Sequence, residues 1–457
     1  MAENKKQAEF SIDRKISKFR THLTPEDELK KFSHEELVAR VQQLEAYTYQ
    51  LKNIIKKSGS NVIDNVTLIG MDKINSDTSG ETCTLKKKNR PFDFSKCSKR
   101  RILLRILYLG WDLDGYAVQD NSTKTIEHHL FLALTKSCLI QDRQSSNYHR
   151  CGRTDKGVSA FSQVISIDVR SKLPSEATDL SQELPYCKML NRLLPDEIRV
   201  LSWAPAPSPE FSARFDCVRR KYRYFFPRGS LDLGLMGKAA ALLVGGHDFR
   251  NFCKMDVGNG VVDYKRSIFQ ASVTVMQQND PQLESPYDMC EVTIEGKAFL
   301  WHQIRCIVSV LFLVGEGKEE PQIVTQLLNP EQPKPQYPLA VDLPLVLFEC
   351  EYEHLLDWQH EQEELSRVVL KMQATWTANA VKAAMIGKML ANVEPKLEAP
   401  VLAQADSLVM GVKPKVYQPL LKRQTCSTLE TKIDHYVKRR KLKKNEDNDQ
   451  SGDVEMK

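Results

Sequence analysis

The chain has 457 residues, of which 41% are hydrophobic and 27% charged, so it can bury globular cores over two or three domains and is not disordered as a whole. No apolar run approaches the roughly 18 residues that span a bilayer, and the charged N-terminus lacks the apolar segment of a secretory signal. An intracellular protein with no membrane partner is therefore expected. Eleven cysteines without a C-x-x-C pair favour reduced thiols over a disulfide framework or a zinc site.

The net charge is only +6, but the basic residues are clustered along the chain. Clustering, more than the total charge, indicates a polyanionic partner. The clusters are Lys86–Lys88, Lys96–Arg101, Arg219–Arg223 and Lys438–Lys444. The last one is dense enough to predict a nuclear localisation signal, with the cytoplasm as a second location. An RNA-contacting or merely solvated tail is the alternative.

Residues 1–98 are predicted to form an extension before the folded core. Residues 1–32 are polar and weakly patterned, which predicts disorder. A helix follows, because Ser33 and Glu36 form a capping box and apolar residues from Leu37 to Ile55 repeat at spacings of four and three, as in a coiled coil. Since the stripe covers only about three heptads, docking on the protein's own body and self-pairing are equally open. Residues 58–98 are typical of a flexible basic linker.

The folded core is predicted to begin with a strand, a loop and a helix. Residues 101–109 form an almost fully buried strand, and the glycine-punctuated loop Gly110–Gly115 follows it. An amphipathic helix then has an apolar face from Ile126 to Cys138. Apolar and polar residues alternate from Val164 to Arg170, as in a half-buried strand. This order of elements predicts an α+β fold.

A tight turn before that second strand carries the aspartate Asp155. Gly152 and Gly157 bracket it, and glycines so placed allow positive φ and a close approach to a ligand. The surrounding cations favour the ionised carboxylate, which could act as a nucleophile or a base beside an anionic ligand. These cations are Arg150, Arg153 and Lys156. The alternative is a solvated turn whose aspartate only bonds local backbone.

A basic and aromatic strand follows the segment Glu210–Phe215. Its alternation places Tyr222, Tyr224 and Phe226 on one face and Arg223 on the other. Such a strand could stack on bases and contact phosphates at once. A plain strand with an aromatic core stripe is the alternative.

The remaining elements include one helix that is apolar almost all round. A helix is predicted at Leu235–Val244 and strands at Ser267–Met276, Met289–Glu295 and Leu345–Tyr352. Between them, residues 296–315 are typical of a buried helix. On it, His302 and Arg305 share one face, and a buried arginine needs an anion, for which Asp155 or another carboxylate could serve. A helix at 354–374 and a segment rich in Ala and Met at 378–391 lie beyond.

Three of these motifs resemble those of the TruA-type tRNA pseudouridine synthases. Gly152–Ala160 resembles the catalytic loop G-R-T-D-x-G-V-x-A, residues 211–215 with 220–224 resemble F-x-A-R-F and K-x-Y-R-Y, and residues 298–305 resemble A-F-x-x-H-x-x-R. The likeness covers about residues 100–352. It departs from the family at Tyr108–Gln119, where the order of residues in the first loop differs.

The resemblance implies a role for each motif residue. Asp155 would be catalytic, Arg305 would pair with it, and Tyr222 would pack on the target base. Substrate contacts would come from the basic residues of the same motifs, namely Arg153, Arg214, Arg223 and His302. Neither a metal nor a cofactor is implied.

The resemblance also implies a fold and an assembly. It implies the pseudouridine synthase fold, with two α/β halves at 99–227 and 228–353, antiparallel-rich mixed sheets around a central cleft, and a helical extension at 354–457. Bacterial relatives form their clefts across a homodimer, so a homodimer is expected. Whether the aspartate attacks C1′, adds to the base or abstracts a C2′ proton stays open.

Features outside the shared motifs look like the eukaryotic branch that modifies uridines 38 and 39 in the anticodon stem-loop of tRNA. They include Phe249–Asp256 and the C-terminal stretch Gly411–Leu420. The same chemistry at other uridines, such as 27 and 28, is one alternative, and a non-catalytic RNA-binding or tRNA-folding protein is another. A metal-dependent nuclease is remote, because no ligand cluster has a suitable spacing.

Overall fold

The computed structural model describes Ser33 and residues 92–438, apart from 175–176, 256, 258–260, 262, 278–284, 399–403, 405 and 412–415. Contacts divide the chain into a unit up to Asn89 and a second unit from Arg90, and the second unit is the one described below. The predicted N-terminal disorder, the coiled-coil-like helix, most of the linker and the basic tail beyond Lys438 lie outside the described residues.

Nine strands and six helices with both ends described organise this part of the chain, and residues 429–438 are helical as well. The strands are β1 (Ser98–Tyr108), β2 (His149–Arg150), β3 (Ser159–Ser171), β4 (Ile198–Pro205), β5 (Cys217–Pro227), β6 (Gly245–Asp248), β7 (Lys265–Gln277), β8 (Met289–Gly296) and β9 (Leu345–Tyr352). The helices are α1 (Ile126–Lys136), α2 (Tyr186–Asn191), α3 (Leu233–Ala241), α4 (Gln303–Gly315), α5 (Ile323–Leu328) and α6 (Gln362–Val393).

The strands of both predicted halves join one sheet, in the order β4-β1-β3-β9-β5-β8-β7-β6, with β2 added beside β3. All pairings are antiparallel except that of β3 with β9, where Ser159 pairs with Val346 and Ala160 with Leu347. A large mixed sheet with several helices confirms the predicted fold class. Strands of the two predicted halves meet at this parallel pair, here called the seam, and again where β5 pairs with β8 and β9.

The core follows the pleat of the strands and the apolar faces of the helices. On β5, Tyr222, Tyr224 and Phe226 are buried in alternation, as predicted. Helix α4 is buried along almost its whole length and packs against α3, which in turn contacts β7. The predicted buried helix is therefore confirmed. It begins at Gln303 rather than near Gly296, because residues 297–302 form a loop that enters the site.

The helical C-terminal segment differs from its prediction. The predicted helix at 354–374 and the segment at 378–391 form one helix, α6, from Gln362 to Val393. Residues 354–361 stay outside it, because the chain there is held against β4 by a bridge between Trp203 and Gln359. No proline interrupts residues 362–393, so the helix continues. Among the helices described, none has the length and apolar character needed to cross a membrane.

Candidate active site

The turn between β2 and β3 is fixed by hydrogen bonds at both ends. The buried Gln163 side chain on β3 donates from Nε2 to the carbonyl of Gly152 at 2.9 Å and accepts from the Gly152 N–H at 3.3 Å. The Thr154 and Tyr108 hydroxyls lie 2.7 Å apart in the core. Beyond Asp155, the Gly157 N–H donates to the Leu113 carbonyl at 3.2 Å, so the turn holds the intervening Asp155 in one place.

The two bracketing glycines have different roles. Gly157 has φ +78°, and a Cβ built there would lie 2.8 Å from the Asp342 carboxyl, so this position requires glycine. Gly152 has no positive φ, and a Cβ there would meet nothing within 4 Å. The prediction of a positive φ is confirmed for Gly157 and wrong for Gly152.

Asp155 is partly open to solvent, with 26% of its side chain exposed. The indole N–H of Trp301 donates to Oδ1 at 3.1 Å, and Nε2 of His302 lies 3.4 Å from Oδ2. Burial raises the pKa of the Asp155 carboxyl, against the lowering influence of Arg305 and of the Trp301 hydrogen bond. A carboxylate tuned by desolvation in this way is typical of a functional site.

Two of the three cations that flank Asp155 in the sequence pair with other carboxylates. Lys156 binds Asp114 in the preceding loop at 2.8 Å, and Arg150 binds the buried carboxylate of Glu127 on α1. The expectation that these neighbours keep Asp155 ionised is therefore wrong. The charges that favour the ionised carboxylate are those of Arg305 and Lys254. Adjacent side chains in a turn point in different directions, so Arg150 and Lys156 pair with other carboxylates although they are close to Asp155 in the sequence.

Arg305 is buried on the first turn of α4, as predicted, but its ion-pair partner is Asp342. Its Nη2 lies 3.7 Å from Asp342 Oδ2, and its Nε donates to the Ala340 carbonyl at 2.8 Å. Direct pairing with Asp155 is thus corrected to pairing with Asp342, which borders Gly157 of the catalytic loop. Arg305 still favours the ionised form of Asp155 through its field. Arg305 thus influences Asp155 through its charge, and its direct ion pair is with Asp342.

His302 stands at the N-terminus of α4 with a left-handed backbone, φ +61°. Burial, followed by the charges of Arg305, Lys254 and Lys334, lowers the pKa of its imidazole to about 4. His302 is consequently neutral near pH 7 and does not form a charged pair with Asp155. Its Nδ1 is buried and has no hydrogen-bond partner among the described residues.

Trp301 and Lys254 belong to the site although no motif singled them out. The Lys254 ammonium lies 4.5 Å above the Trp301 ring, and the Lys254 N–H donates to the Trp301 carbonyl at 3.0 Å. Both residues lower the pKa of the Asp155 carboxyl, although burial outweighs them. A large aromatic residue directly before a motif histidine was the signal that could have indicated Trp301.

Tyr222 lies on the face of β5 that the alternation predicted, and it is 9% exposed. Its ring meets Phe299 edge to face, with ring centroids 5.2 Å apart. Phe299 belongs to the same loop as Trp301, so β5 and the loop before α4 are packed together. No hydrogen bond to the Tyr222 hydroxyl is seen among the described residues, and burial raises the pKa of that hydroxyl well above its usual value.

The predicted substrate arginines divide into two kinds. Arg153 and Arg214 are exposed and form no ion pair within the described part of the chain, and burial together with Arg150 and Arg214 lowers the pKa of Arg153. Beside them Phe215 is 72% exposed, with the Arg214 guanidinium 5.3 Å from its ring centre. Arg223 instead pairs with Glu291 at 3.2 Å and stacks on Phe348. The first pair forms a cationic surface, and Arg223 is already neutralised.

The site therefore combines the partly exposed carboxylate of Asp155, a neutral imidazole and a buried arginine that pairs with Asp342 beside the loop. Such a carboxylate can act as a nucleophile or as a base. The adjoining surface carries unneutralised cations and an exposed aromatic ring, which suit a nucleic acid.

Comparison with known proteins defines the class. A family model described as tRNA pseudouridine synthase matches residues 239–353. Curated relatives named tRNA pseudouridine(38/39) synthase match most of the chain. The Bos taurus relative is 42% identical over 450 residues, covering 91% of this chain and 90% of its own. The Homo sapiens relative is 42% identical over 443 residues, covering 89% and 88%.

A relative of the same name from Saccharomyces cerevisiae is 43% identical over 284 residues, covering 60% of this chain and 62% of its own. The chain belongs to the tRNA pseudouridine synthase family. It is an isomerase, as the motif resemblance implied.

Proposed function

We propose that this protein isomerises uridine to pseudouridine at positions 38 and 39 of the anticodon stem-loop of tRNA. The names of its relatives support the positions. The observation that carries the proposal is the Asp155 carboxylate, which is held by Trp301 and stays partly exposed to solvent. In the reaction, the bond from C1′ to N1 breaks and a bond from C1′ to C5 forms. C5 loses a proton and N1 gains one, so no oxidant or water is consumed.

Asp155 is the group that reacts with the nucleotide. Its ionised form can attack C1′ or the base, or take a proton from C2′, and each of these steps needs the open face of the carboxylate. The neutral His302 beside it adds no competing charge. Hydrogen bonds at Gly152 and Gly157 hold the loop, so the carboxylate meets the nucleotide in a fixed geometry.

The nucleotide must leave its stack to reach Asp155, at a cost of a few kcal/mol that is smallest at the edge of a stem beside a loop. Positions 38 and 39 occupy such an edge. Arg153 and Arg214 supply unneutralised charge for the phosphates, and Phe215 offers a ring on which a base can stack. This surface recognises the shape and the phosphate backbone of the tRNA more than its base sequence.

The test is the change Asp155→Asn, which removes the charge and almost no volume. We expect no pseudouridine in a tRNA transcript, with tRNA affinity within a few-fold of the parent. Asp114→Asn is the matched control, because Asp114 is a carboxylate of the neighbouring loop that pairs with the exposed Lys156. Substantial product from the Asp155 variant would overturn the assignment. Site-resolved mapping of tRNA from cells lacking the protein tests the positions, and loss at 27 and 28 alone would refute them.

We also propose a homodimer in which α6 pairs with its copy. Apolar residues share one face of α6 and follow one another at a spacing of four, apart from ten positions between the third and the fourth, namely Val368, Met372, Trp376, Ile386 and Leu390. Val368 is buried against the body, whereas Trp376 and Ile386 are 71% and 58% exposed. A stripe with this spacing favours pairing with a second helix of the same kind. The helix is long enough for about four heptads.

The dimer can be tested by sedimentation of Ile386→Glu against Ala384→Glu, which lies on the opposite face of α6. We expect a dimer in the parent and in the Ala384 variant, and a monomer in the Ile386 variant. A parent that sediments as a monomer at micromolar concentration would contradict the proposal. So would an Ile386 variant that stays dimeric.

A further inference from the structure

Three cysteines from separate parts of the chain meet directly behind the catalytic loop. Cys151 precedes Gly152, Cys217 begins β5 and Cys350 lies on β9, and their sulfur atoms all lie within 4.8 Å of one another. They are 3%, 2% and 7% exposed. In the part of the chain that the structure describes, this is the only group of three or more potential metal ligands at such distances. Other buried cysteines, such as Cys290, belong to no such group.

The fold brings the three sulfurs together through strand register. On the paired strands β5 and β9, Cys217 lies opposite Tyr352 and Arg220 opposite Cys350. Cys151 is placed by its N–H, which donates to the Val164 carbonyl of β3 at 2.8 Å. Each sulfur is therefore carried by backbone that the sheet holds in place. A preorganised set of soft sulfur ligands suits a thiophilic metal ion.

A buried cation beside the cluster indicates that negative charge belongs there. Arg220 is 8% exposed and donates from Nη2 to the carbonyls of Cys151 and Arg214 at 2.9 and 3.0 Å. Its side chain also donates to the Lys297 carbonyl, and it forms no ion pair with a carboxylate of the described residues. A buried guanidinium without a counter-charge is costly. Three thiolates and a divalent cation leave one formal negative charge, which Arg220 neutralises.

We propose that Cys151, Cys217 and Cys350 bind a Zn²⁺ ion that fastens the catalytic loop to the sheet. Binding replaces thiol protons, including the one that Cys217 shares with the Arg219 carbonyl at 3.3 Å, and releases them to solvent. The Tyr352 hydroxyl donates to the Ala213 carbonyl at 2.8 Å, so the protein ligands are the three sulfurs. A small exogenous ligand such as water completes the tetrahedron.

The ion has a positioning role, because Cys151 lies at the start of the catalytic turn, Cys217 and Cys350 lie on β5 and β9, and all three sulfurs are buried. It cross-links segments that are far apart in the sequence. Closing long loops in this way restricts the unfolded chain and stabilises the folded one. The site thus joins the catalytic loop, the strand of Tyr222 and the seam strand β9.

The test measures metal directly in full-length protein without a metal-binding tag, purified under reducing conditions. By elemental analysis we expect about one zinc ion per chain. Replacement with Co²⁺ should give strong thiolate-to-cobalt absorption bands. Both signals should be lost in Cys217→Ser and in Cys350→Ser. They should persist in Cys290→Ser, which changes a buried cysteine of β8 outside the cluster.

If those variants fail to fold, a second measurement on the parent protein tests the same zinc site. In the parent, chelation should selectively increase alkylation of the three cysteines, as mapped by mass spectrometry. A folded parent that contains no zinc and develops no cobalt–thiolate bands would overturn the proposal. Full zinc retention in both folded cysteine variants would overturn it as well. A disulfide between two of the three in freshly isolated protein would replace the metal site with a redox site. None of these results depends on tRNA modification, so they are independent of the proposed activity.

Discussion

The hydrogen bond from Trp301 to Asp155 gives a quantitative test of how the site is tuned. Trp301→Phe keeps an aromatic ring beneath Lys254 but removes the N–H that donates to Oδ1. Hydrogen bonds to charged groups contribute about 1.5–3 kcal/mol. At 3.1 Å, with Asp155 26% exposed, this bond belongs at the lower end of that range. About 1.4 kcal/mol corresponds to roughly a tenfold loss of kcat/KM.

The pH dependence has a definite sign. The Trp301 hydrogen bond lowers the pKa of the Asp155 carboxyl, so its removal raises that pKa further above the usual value. Because the ionised carboxylate is the active form, the acidic limb of the pH–rate profile should move to higher pH in Trp301→Phe. His302, with a pKa of about 4, should add no titration near neutral pH.

The assay is the release of tritium from C5 of uridine in a labelled tRNA transcript, measured under single-turnover conditions across pH 5–9. Trp358→Phe is the control, because it removes an indole that packs on Arg105 and does not contact Asp155. A loss below about twofold, or an acidic limb that stays in place or moves to lower pH, would refute the tuning role. An equal loss in the control would point to a general effect of indole removal.

Other consequences can be measured independently. Tyr222→Phe should retain activity better than Tyr222→Ala, since stacking on a base contributes about 1–3 kcal/mol; equal losses would identify the hydroxyl as the active group. Arg153→Ala and Arg214→Ala should each reduce the slope of log affinity against log salt by about 1, and an unchanged slope would remove them from the RNA surface. We propose that residues 438–457 direct the protein to the nucleus, so their deletion should leave a fluorescent fusion in the cytoplasm. A truncated protein that remains nuclear contradicts this signal.

Features that depend on short-range sequence were predictable. Alternation on β5 and the apolar character of α4 anticipated buried faces, because backbone periodicity alone determines which side chains share a face. The position of Asp155 in a glycine-bounded turn was also readable. Short strands such as β6 were not anticipated, since four residues carry too little pattern and their pairing with β7 depends on tertiary structure.

Features that depend on long-range contacts could not be read from the chain. The choice of Asp342 as partner of Arg305 depends on where the segment before β9 lies, and residue identity says nothing about that. The three cysteines behind the loop have no local spacing in common. They meet because β5 pairs with β9 and Cys151 lies beside that pair. Groups of residues such as these three cysteines come together only when the sheet has assembled.

The parallel seam between β3 and β9 also governs when the active site can exist during synthesis. Translation releases Asp155 early, and β3 can pair with β1 at once, but its neighbour on the other side is available only when Val346 and Leu347 leave the ribosome. Trp301 and Arg305 emerge in the interval. A prematurely terminated polypeptide ending before β9 would hold the whole catalytic loop and yet lack the strand that anchors its exit. Domains fold as units as the chain is made. Here the sheet of that unit is completed only when β9 has been synthesised.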